Sequence, residues 1–538
     1  MSTSTPARVP TRRNVELALL LVAVLVLFVF EAAVQVSLAG QITPTAFVLV
    51  GIIAGMLLIG HILVRVFAPY ADPVMLPVGG LLTGIGVIFI RRLDLSAFYY
   101  KKIDGQFQKV FDYPTQADRA NSAVFGDAGG KQLTYMIVAV VVFAAVLWLV
   151  RDHRNLARYP FVAGFAGLVL AASPILPGIG MNVNGSRLWL NLGFVAIQPS
   201  EFAKLLLLIF FAYYLVRKRE VLSLASKKIL GMHFPRLKDF VPIVVVWATS
   251  VVIMVGLKDL GTSLLFFGLF VALLYTATER ISWVLIGLAL FAAGAVFAYS
   301  LFSHLQERVD IWLHPFADAQ NTGRQLVQSL IGLGSGGVFG YGPGAGQPQE
   351  TNPAANSDFI LSGLGEELGL FGLTAILMLY LLLVARGMRA ALGVKDSFGK
   401  LLAGGLAFSV GFQIFVVLGG VTKLIPLTGQ TAPYLAAGGS SLLANWILLA
   451  LLIRVSDSAR RPQAAPQGPI KIAPPPGMAD NSPTQIVSAA DRADDSETQL
   501  VSIPERLDAP PESAPEPEPA PGPESEAPSP PTSPEVKP

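Results

Sequence analysis

Residues 312–337 of the chain read WLHPFADAQNTGRQLVQSLIGLGSGG. This polar segment, punctuated by glycines, lies between apolar runs near residues 281–303 and 359–385. Each of those runs is long enough to cross the hydrocarbon core of a membrane as a helix. Because the segment itself is too polar for lipid, we expect it to leave the bilayer or to line a wet site within the protein.

The chain as a whole has the composition of a membrane protein. Apolar residues make up 53% and charged residues 14% of the sequence, and the mean hydropathy is +0.58, outside the usual range for soluble domains. Further apolar runs lie near residues 14–38, 44–66, 75–91, 133–150, 159–179, 195–216, 240–257, 259–279, 399–420 and 434–454. We therefore predict an all-α integral membrane protein, a polytopic bundle of about 10–12 transmembrane helices.

Positive charges in the short loops predict the orientation of this bundle. Alternating spans place five basic segments on one side, namely residues 8–13, 151–158, 217–238, 386–400 and 454–461. Cytoplasmic loops are enriched in Lys and Arg, so both termini are expected in the cytoplasm. The long loop from Arg91 to Gln132 is then extracytoplasmic, where its charges carry little weight. The net charge of +3 reflects this bias, and no nucleic-acid partner follows from it.

The end of the chain differs from the rest. From residue 456 onward Pro, Ala, Glu and Ser dominate, and such a segment cannot bury enough apolar surface to fold. We predict amino-terminal spans and an outer loop at residues 1–132, a membrane core at 133–455 and a disordered cytoplasmic tail at 456–538. The tail repeats one pattern in NSPTQIV and SETQLV. Thr484 and Thr498 are therefore candidate phosphorylation sites, with chance similarity as the alternative.

Several charged residues lie beside or inside the apolar runs. Glu201 and Lys204 are three apart, so they share a helix face and can neutralise each other. Asp259 begins a span and can cap that helix. Glu366 and Glu367 lie inside a span, so they must face the bundle interior or a wet cavity. The glycines after residue 331 permit tight turns, but no Walker-type Lys-Ser or Lys-Thr follows them. The chain has no cysteine, which excludes disulfides and thiolate metal sites.

Several motifs resemble one known family when taken in order. They are NGSRLWLNLGFVAIQPSEFAKL (184–205), KDLGTSLLF (258–266), GRQLVQSLIGLGSGGVFGYGPGAGQ (323–347), NSDFILSGLGEELGLFG (356–372) and LIPLTGQTAPYLAAGGSSLLANW (424–446). This series is similar to the SEDS family of shape, elongation, division and sporulation proteins, which includes RodA and FtsW, and the extra spans favour a RodA-type member. The departures from the family pattern are Lys258 for Pro, Arg324 for Tyr, Asn356 and Ser357 for His-Thr, and Ala436 and Ala437 for Ser-Tyr.

The resemblance implies a function and a site. It implies a peptidoglycan glycosyltransferase that joins lipid II disaccharide units into glycan strands at the outer face of the bacterial cytoplasmic membrane, for elongation or division. The catalytic Asp of the family corresponds to Asp318, the expected general base for the sugar 4-hydroxyl; without the family, Asp318 would be interpreted as a loop carboxylate that caps a turn. The expected substrate-binding residues are Arg187, Trp189, Gln198, Glu201, Lys204, Asp259, Gln328, Ser329, Asp358, Glu366 and Glu367.

Among these residues, Arg187 and Lys204 are candidates for contacts with the diphosphate of the substrate. Glu201, Glu366 and Glu367 would hold them, or hold a divalent cation, and no other cofactor is expected. The alternative is a purely structural network of ion pairs.

The resemblance also implies a partner, a class B penicillin-binding protein whose transpeptidase crosslinks the new strands. A membrane Ser/Thr kinase and a phosphothreonine-binding protein are the partners that the tail pattern suggests. Two other functions stay open on the residues alone. A bundle with intramembrane charges also describes a lipid II flippase, although no internal repeat supports one. A noncatalytic scaffold for the wall-synthesis complex is the second alternative.

Overall fold

A computed structural model describes residues 11–95, 98–103, 106–111, 124, 127–183, 186–193, 196–223, 227–229, 232–234, 237–351 and 353–462. The chain divides into two units, residues 1–462 and 463–538. The second unit, with Thr484 and Thr498, lies outside the described residues. All of the fold given below therefore belongs to the first unit.

Long helices dominate this first unit. In chain order they are α1 Arg13–Ala39, α2 Pro44–Phe67, α3 Met75–Asp94, α4 Ala128–Leu149, α5 Pro160–Ala172, α6 Pro199–Ser223, α7 Leu237–Gly256, α8 Leu260–Thr278, α9 Ile281–Leu301, α10 Ser303–Leu313, α11 Arg324–Gly336, α12 Ile360–Gly393, α13 Ser397–Val421 and α14 Gly439–Arg460. Short 3-10 helices cover His153–Arg158, Ser173–Ile175 and Pro348–Thr351.

The predicted membrane bundle is confirmed. Among the described residues ten helices are long and apolar enough to span a bilayer. The predicted spans near 159–179 and 240–257 correspond to shorter apolar stretches, Pro160–Ile175 and Val244–Ile253. Helices satisfy their own backbone hydrogen bonds, which is why the apolar runs fold this way. Pro199 begins α6, where the N–H that proline lacks has no helical partner to donate to.

Within the part of the chain that the structure describes, three small antiparallel sheets lie between helices, and no pattern in the sequence predicted them. Strands β1 Phe98–Ile103 and β2 Gln106–Phe111 form a hairpin between α3 and α4. Strands β3 Gly180–Val183, β4 Ser186–Asn191 and β5 Ala196–Ile197 precede α6. Strands β6 Lys227–Ile229 and β7 Met232–Phe234 lie between α6 and α7. Hairpins of two to six residues per strand are too short to produce a clear alternating pattern.

Polar side chains concentrate near the ends of the bundle. At one end Asp72 accepts a hydrogen bond from Arg460 at 2.5 Å, and Asp396 pairs with His153 at 2.9 Å. Helix α14 continues to Arg460, beyond the end of the span predicted near residue 454. Its last turns are anchored by the contact of Arg460 with Asp72 and by Asp457, which accepts the Tyr70 N–H at 2.8 Å. The opposite end holds the candidate site.

Candidate active site

The glycine-rich segment after α11 repairs a break in the membrane helix α12. Gly369 has a φ of 67° inside α12 and interrupts its hydrogen-bond ladder. The carbonyls of Glu366 and Glu367 accept the N–H groups of Tyr341 and Gly342 at 3.1 and 2.9 Å. On the other side of the break, the N–H groups of Leu370 and Phe371 donate to the Gly337 and Val338 carbonyls at 2.9 and 3.0 Å.

This exchange explains why a polar segment lies between two apolar helices. Irregular backbone is tolerated at membrane depth only where protein or water satisfies it. The glycine-rich segment and α12 approach so closely that a Cβ on Gly340 would lie 2.2 Å from the Glu367 carbonyl oxygen. Glycine is therefore required at the contact for space as well as for its positive φ of 77°. We call residues 337–350 the re-entrant loop.

The side chains of the two glutamates also bind this loop. Glu366 accepts the Gln347 N–H at 2.7 Å, and Glu367 accepts the Gly344 N–H at 2.9 Å. Both carboxylates are buried, as their position inside a span predicts. Their partners are loop groups and a cation on α3; the pairing with Arg187 or Lys204 that the sequence suggested is absent from the described contacts.

The cation that faces Glu367 is Arg92, near the end of α3. Its Nε donates to Glu367, its Nη1 donates to Gln349 at 3.0 Å and its Nη2 donates to the Gly346 carbonyl at 2.5 Å. Arg92 is 1% exposed and Glu367 is fully buried. A buried charge must be paired and hydrogen-bonded, and this guanidinium meets that requirement through several partners.

A second buried ion pair lies at the start of α6. Lys204 Nζ lies 3.0 Å from Glu201 Oε2 and 3.0 Å from the side-chain oxygen of Gln413. Both charged groups are buried, so the mutual neutralisation predicted from their spacing is confirmed. Gln413 in turn donates to the Thr431 carbonyl at 2.9 Å. This polar cluster ties α6 to α13 and to the segment before α14.

Asp259 caps α8, as predicted. Its carboxylate accepts the Thr262 N–H at 3.0 Å and lies 3.4 Å from the Ser200 hydroxyl, which donates to it. Burial raises the pKa of this carboxyl group above its usual value. The preceding residue, Lys258, has a φ of 64°, which the proline usual in the related motif could not adopt.

An apolar cavity of about 580 Å³ lies beside this cluster, between α7, α8, α9, α10 and α13. Its walls include Trp247, Phe267, Phe291, Phe412 and Ile425, and Arg308 of α10 supplies a cation to its lining. Phe267 and Phe291 pack with their ring centroids 5.1 Å apart. The cavity therefore combines an aromatic and aliphatic interior with one charged side chain.

Arg308 is held at this place by the segment before α14, and a carboxylate lies near it. Its Nη1 donates to the Leu427 carbonyl at 2.8 Å. A Cβ on Gly429 would lie 3.6 Å from one terminal nitrogen of Arg308 and 3.8 Å from Oδ2 of Asp358, so both side chains border this glycine. Burial raises the pKa of Asp358 to about 6, against the opposing attraction of Arg308.

Asp318 lies on the segment between α10 and α11. Its carboxylate accepts the backbone N–H of Thr322 at 3.2 Å, the Thr322 hydroxyl at 3.0 Å and the Asn321 amide at 3.1 Å. The hydrogen bonds from Thr322 hold the pKa of Asp318 below its usual value. The group is therefore ionised at neutral pH and able to accept a proton, while its present partners belong to its own turn.

The remaining predicted residues divide between exposed and structural positions. Arg187 is exposed on β4, where Trp189 is half-buried and pairs with Met181. The Gln198 N–H donates to Ser440 at 2.8 Å. Ser329 is buried on α11 and donates to the Val421 carbonyl at 3.1 Å, whereas Gln328 is half-buried. Within the described ranges, no three His, Asp or Glu side chains group closely enough to hold a metal ion.

Comparison with known proteins identifies the family. The sequence model of the FtsW, RodA and SpoVE family, described as "Cell cycle protein", matches residues 110–461. This chain belongs to the FtsW, RodA and SpoVE family. The family that the motifs predicted is thereby confirmed.

Relatives in this family carry enzyme names. The chain is 48% identical to the peptidoglycan glycosyltransferase RodA of Mycobacterium tuberculosis (strain ATCC 25618 / H37Rv) over 84% of this chain and 92% of that protein. It is 34% identical to the probable peptidoglycan glycosyltransferase FtsW of Geobacter metallireducens over 60% of this chain and 83% of that protein. The higher identity and coverage agree with the RodA-type assignment.

A solved structure of a peptidoglycan synthase complex, which concerns the coordination of polymerization and crosslinking, also resembles the chain. The likeness has a TM-score of 0.50 at 27% identity and covers 61% of this chain and 90% of that chain. A fold shared at this level supports the helix bundle described above.

Sequence reasoning gave no role to three arginines that organise the site. Arg92 lies before residue 110, where the family match begins. Arg308 lies on the short amphipathic helix α10, which contains none of the family motifs. Arg324 was noted as a departure from Tyr, and the structure gives its role: it is buried and donates to the Glu350 carbonyl at 2.6 Å. The sequence carried a signal for Arg92, a cation within the span α3, which is costly unless paired; Arg308 and Arg324 lie on short helices that are not candidate spans.

Proposed function

We propose that this chain polymerises glycan strands from lipid II, as a peptidoglycan glycosyltransferase of the RodA type acting at the outer face of the cytoplasmic membrane. The enzyme class rests on the 48% identity to relatives named peptidoglycan glycosyltransferase RodA. The substrate and the side of the membrane rest on the site. Both termini and the basic loops then lie in the cytoplasm.

The observation that supports lipid II as the substrate is the apolar cavity with Arg308 in its lining. A lipid-linked sugar diphosphate has a long hydrocarbon chain joined to two phosphates, and such a molecule needs an apolar chamber next to a cation. A guanidinium binds phosphate through two parallel hydrogen bonds. Arg308 thus replaces Arg187 as the better candidate for the diphosphate, because Arg187 is exposed on β4.

The polar groups at the same end of the bundle supply the rest of the site. Lys204 brings a second positive charge, held by Glu201 and Gln413. Fixed positive groups aimed at a leaving diphosphate stabilise the charge that develops as the bond to it breaks. The hydrogen bond to the Leu427 carbonyl keeps the Arg308 guanidinium in place, and the negative charge of Asp358 favours its charged form.

Asp318 is the proposed general base. It removes the proton from the 4-hydroxyl of one sugar, whose oxygen then bonds to the anomeric carbon of the other, while the bond from that carbon to the diphosphate breaks. Asp259 is less suited to this step, because it is buried and its oxygens already accept hydrogen bonds from Thr262 and Ser200. The environments of the two carboxyl groups shift their pKa values in opposite directions: hydrogen bonds from Thr322 lower the pKa of Asp318, and burial raises the pKa of Asp259.

The proposed partner is a class B penicillin-binding protein that crosslinks the strands. Its support is the likeness to a structure of a synthase complex concerned with both polymerization and crosslinking. Phosphorylation of Thr484 and Thr498 by a membrane kinase, with a phosphothreonine-binding reader, is a further proposal from the tail pattern. Absence of both phosphosites from phosphopeptide mass spectra of growing cells would count against that part.

The experiment that tests the function uses purified full-length protein and lipid II. Glycan strands should form without any nucleotide, and more of them should form when a cognate transpeptidase is added. Vesicles with labelled lipid II on one face test the rival activity in parallel. Movement of the label across the bilayer without polymer would make the chain a carrier, and the absence of both activities would make it a scaffold.

A further inference from the structure

The amino-terminal helices make direct contact with the re-entrant loop although they precede the family match. The last turn of helix α3 carries two consecutive arginines that bind different partners. Arg91 Nη2 donates to Thr45 of α2 at 3.3 Å, whereas Arg92 binds Glu367, Gln349 and the Gly346 carbonyl. One helix end therefore links the amino-terminal helices to the loop.

Helix α1 touches the same loop. A Cβ on Gly344 would lie 3.0 Å from the Val34 carbonyl oxygen and 3.1 Å from Cβ of Ser37. Gly344 has a φ of 84°, and its N–H donates to Glu367 at 2.9 Å. The loop therefore lies against α1, α3 and the broken helix α12.

The loop in turn holds the helix that begins after Asp318. Arg324, at the first position of α11, donates to the Glu350 carbonyl at 2.6 Å. Its neighbour Gln325 donates to the Thr351 carbonyl at 3.3 Å. Residues 348–351 form the 3-10 helix that also contains Gln349, the partner of Arg92. A continuous set of hydrogen bonds therefore runs from Arg92 to the start of α11.

We propose that Arg92 is a positioning residue for glycosyl transfer, which seats the re-entrant loop and through it fixes the start of α11 behind Asp318. The effect of Arg92 on glycosyl transfer rests on the proposed function, whereas the seating of the loop does not. A guanidinium is needed rather than an ammonium, because three differently placed acceptors are bound by one planar fork. A small misplacement of a catalytic segment is enough to slow the chemical step.

The test uses a conservative change and a buried reporter. Thr351 is 3% exposed, and the chain has no cysteine, so Thr351→Cys gives a single thiol that should react slowly with maleimide. This single variant, with its own measured polymerisation rate, is the reference for the double variants. Adding Arg92→Lys keeps the positive charge but removes the planar guanidinium that binds three acceptors at once. We expect labelling to speed up about tenfold and kcat for polymerisation to fall about tenfold or more, with KM for lipid II within about threefold.

The matched control is Arg13→Lys. Arg13 and Glu16 also form a buried pair, with Nη1 2.5 Å from Oε2, on the first helix but at the opposite end of the bundle. This change should alter neither the labelling of the thiol at position 351 nor the polymerisation rate. Glu367→Gln, which removes the charged partner of Arg92, should speed up labelling in the same way as Arg92→Lys.

The possible outcomes separate the two proposals. Slow labelling in Arg92→Lys would overturn the seating of the loop, whether or not the protein polymerises glycan. Fast labelling with an unchanged kcat would show that the loop is seated by Arg92 but is not needed for the reaction, which overturns the positioning role. A protein without polymerase activity but with fast labelling in Arg92→Lys would contradict the proposed function and the effect on catalysis, not the seating.

Discussion

Gly340 of the re-entrant loop and Gly369 of α12 meet backbone to backbone. A Cβ on Gly369 would lie 2.3 Å from the Gly340 nitrogen, and Gly369 has a φ of 67°. Two separate reasons thus require glycine at position 369, namely space and backbone conformation. The break in α12 and the loop that repairs it depend on this pair.

Gly369→Ala should therefore destabilise the protein by more than about 1 kcal/mol, because the new methyl group pushes the loop away and the φ is unfavourable. Thermal unfolding of the purified protein in detergent measures the loss. Gly334→Ala is the control, since a Cβ there has no neighbour within 4 Å and alanine favours the helix. Equal unfolding temperatures for the two variants would contradict the described loop contact.

Asp318→Asn should preserve folding and lipid II binding but lower the polymerisation rate by about a hundredfold or more, the usual scale for loss of a general base. Partner binding should also persist, so the variant should be dominant-negative in cells. Asp310→Asn, an exposed carboxylate on α10, serves as the control. Near wild-type glycan synthesis by Asp318→Asn would move the assignment to Asp259.

Glu201→Gln should destabilise the bundle by about 3–5 kcal/mol, because it leaves the Lys204 ammonium buried without its carboxylate. The measurement is the unfolding midpoint in denaturant. Exchanging both residues for Met should restore much of the stability, since the uncompensated charge is then absent. If the single change alone were harmless, the pair would not be buried as described.

The polymerisation rate should fall as the pH is lowered through about 6, because Asp358 takes up a proton and Arg308 loses the negative charge near it. Asp358→Asn should flatten this acid limb. Stability should change in the opposite sense: the folded pKa lies above the ordinary value of 3.8, so the contribution of Asp358 to stability is fully present below about pH 4 and is lost as the pH rises through about 6. Asp318 cannot produce this limb, since its pKa is lowered.

Single cysteines can test the orientation, because no native thiol interferes. Asn191→Cys and Ala345→Cys occupy exposed positions near the candidate site, and Lys395→Cys is exposed at the opposite end. An impermeant maleimide added to intact cells should label the first two and leave the third unlabelled until the cells are opened. The reverse pattern would place the site in the cytoplasm and exclude lipid II polymerisation at the outer face.

The sequence by itself determined the membrane bundle and its local contacts. Apolar runs of bilayer length can only form helices in lipid, so the spans could be predicted directly. The Glu201 and Lys204 pair follows from a spacing of three on one helix, and the Asp259 cap follows from its place before α8. Family motifs pointed to Asp318 and to the buried glutamates in the same way, since motifs are local in sequence.

Only the tertiary structure decided which partners those groups have. Arg92 and Glu367 are 275 residues apart, and no periodicity in either helix specifies that they meet. The re-entrant loop satisfies the broken ladder of α12 through backbone groups, which carry no residue signature apart from glycine. The cavity with Arg308 is formed by five helices whose packing depends on all of them together. Contacts between distant segments are set by how the helices pack, and this is why the sequence predicted the helices but not the geometry of the site.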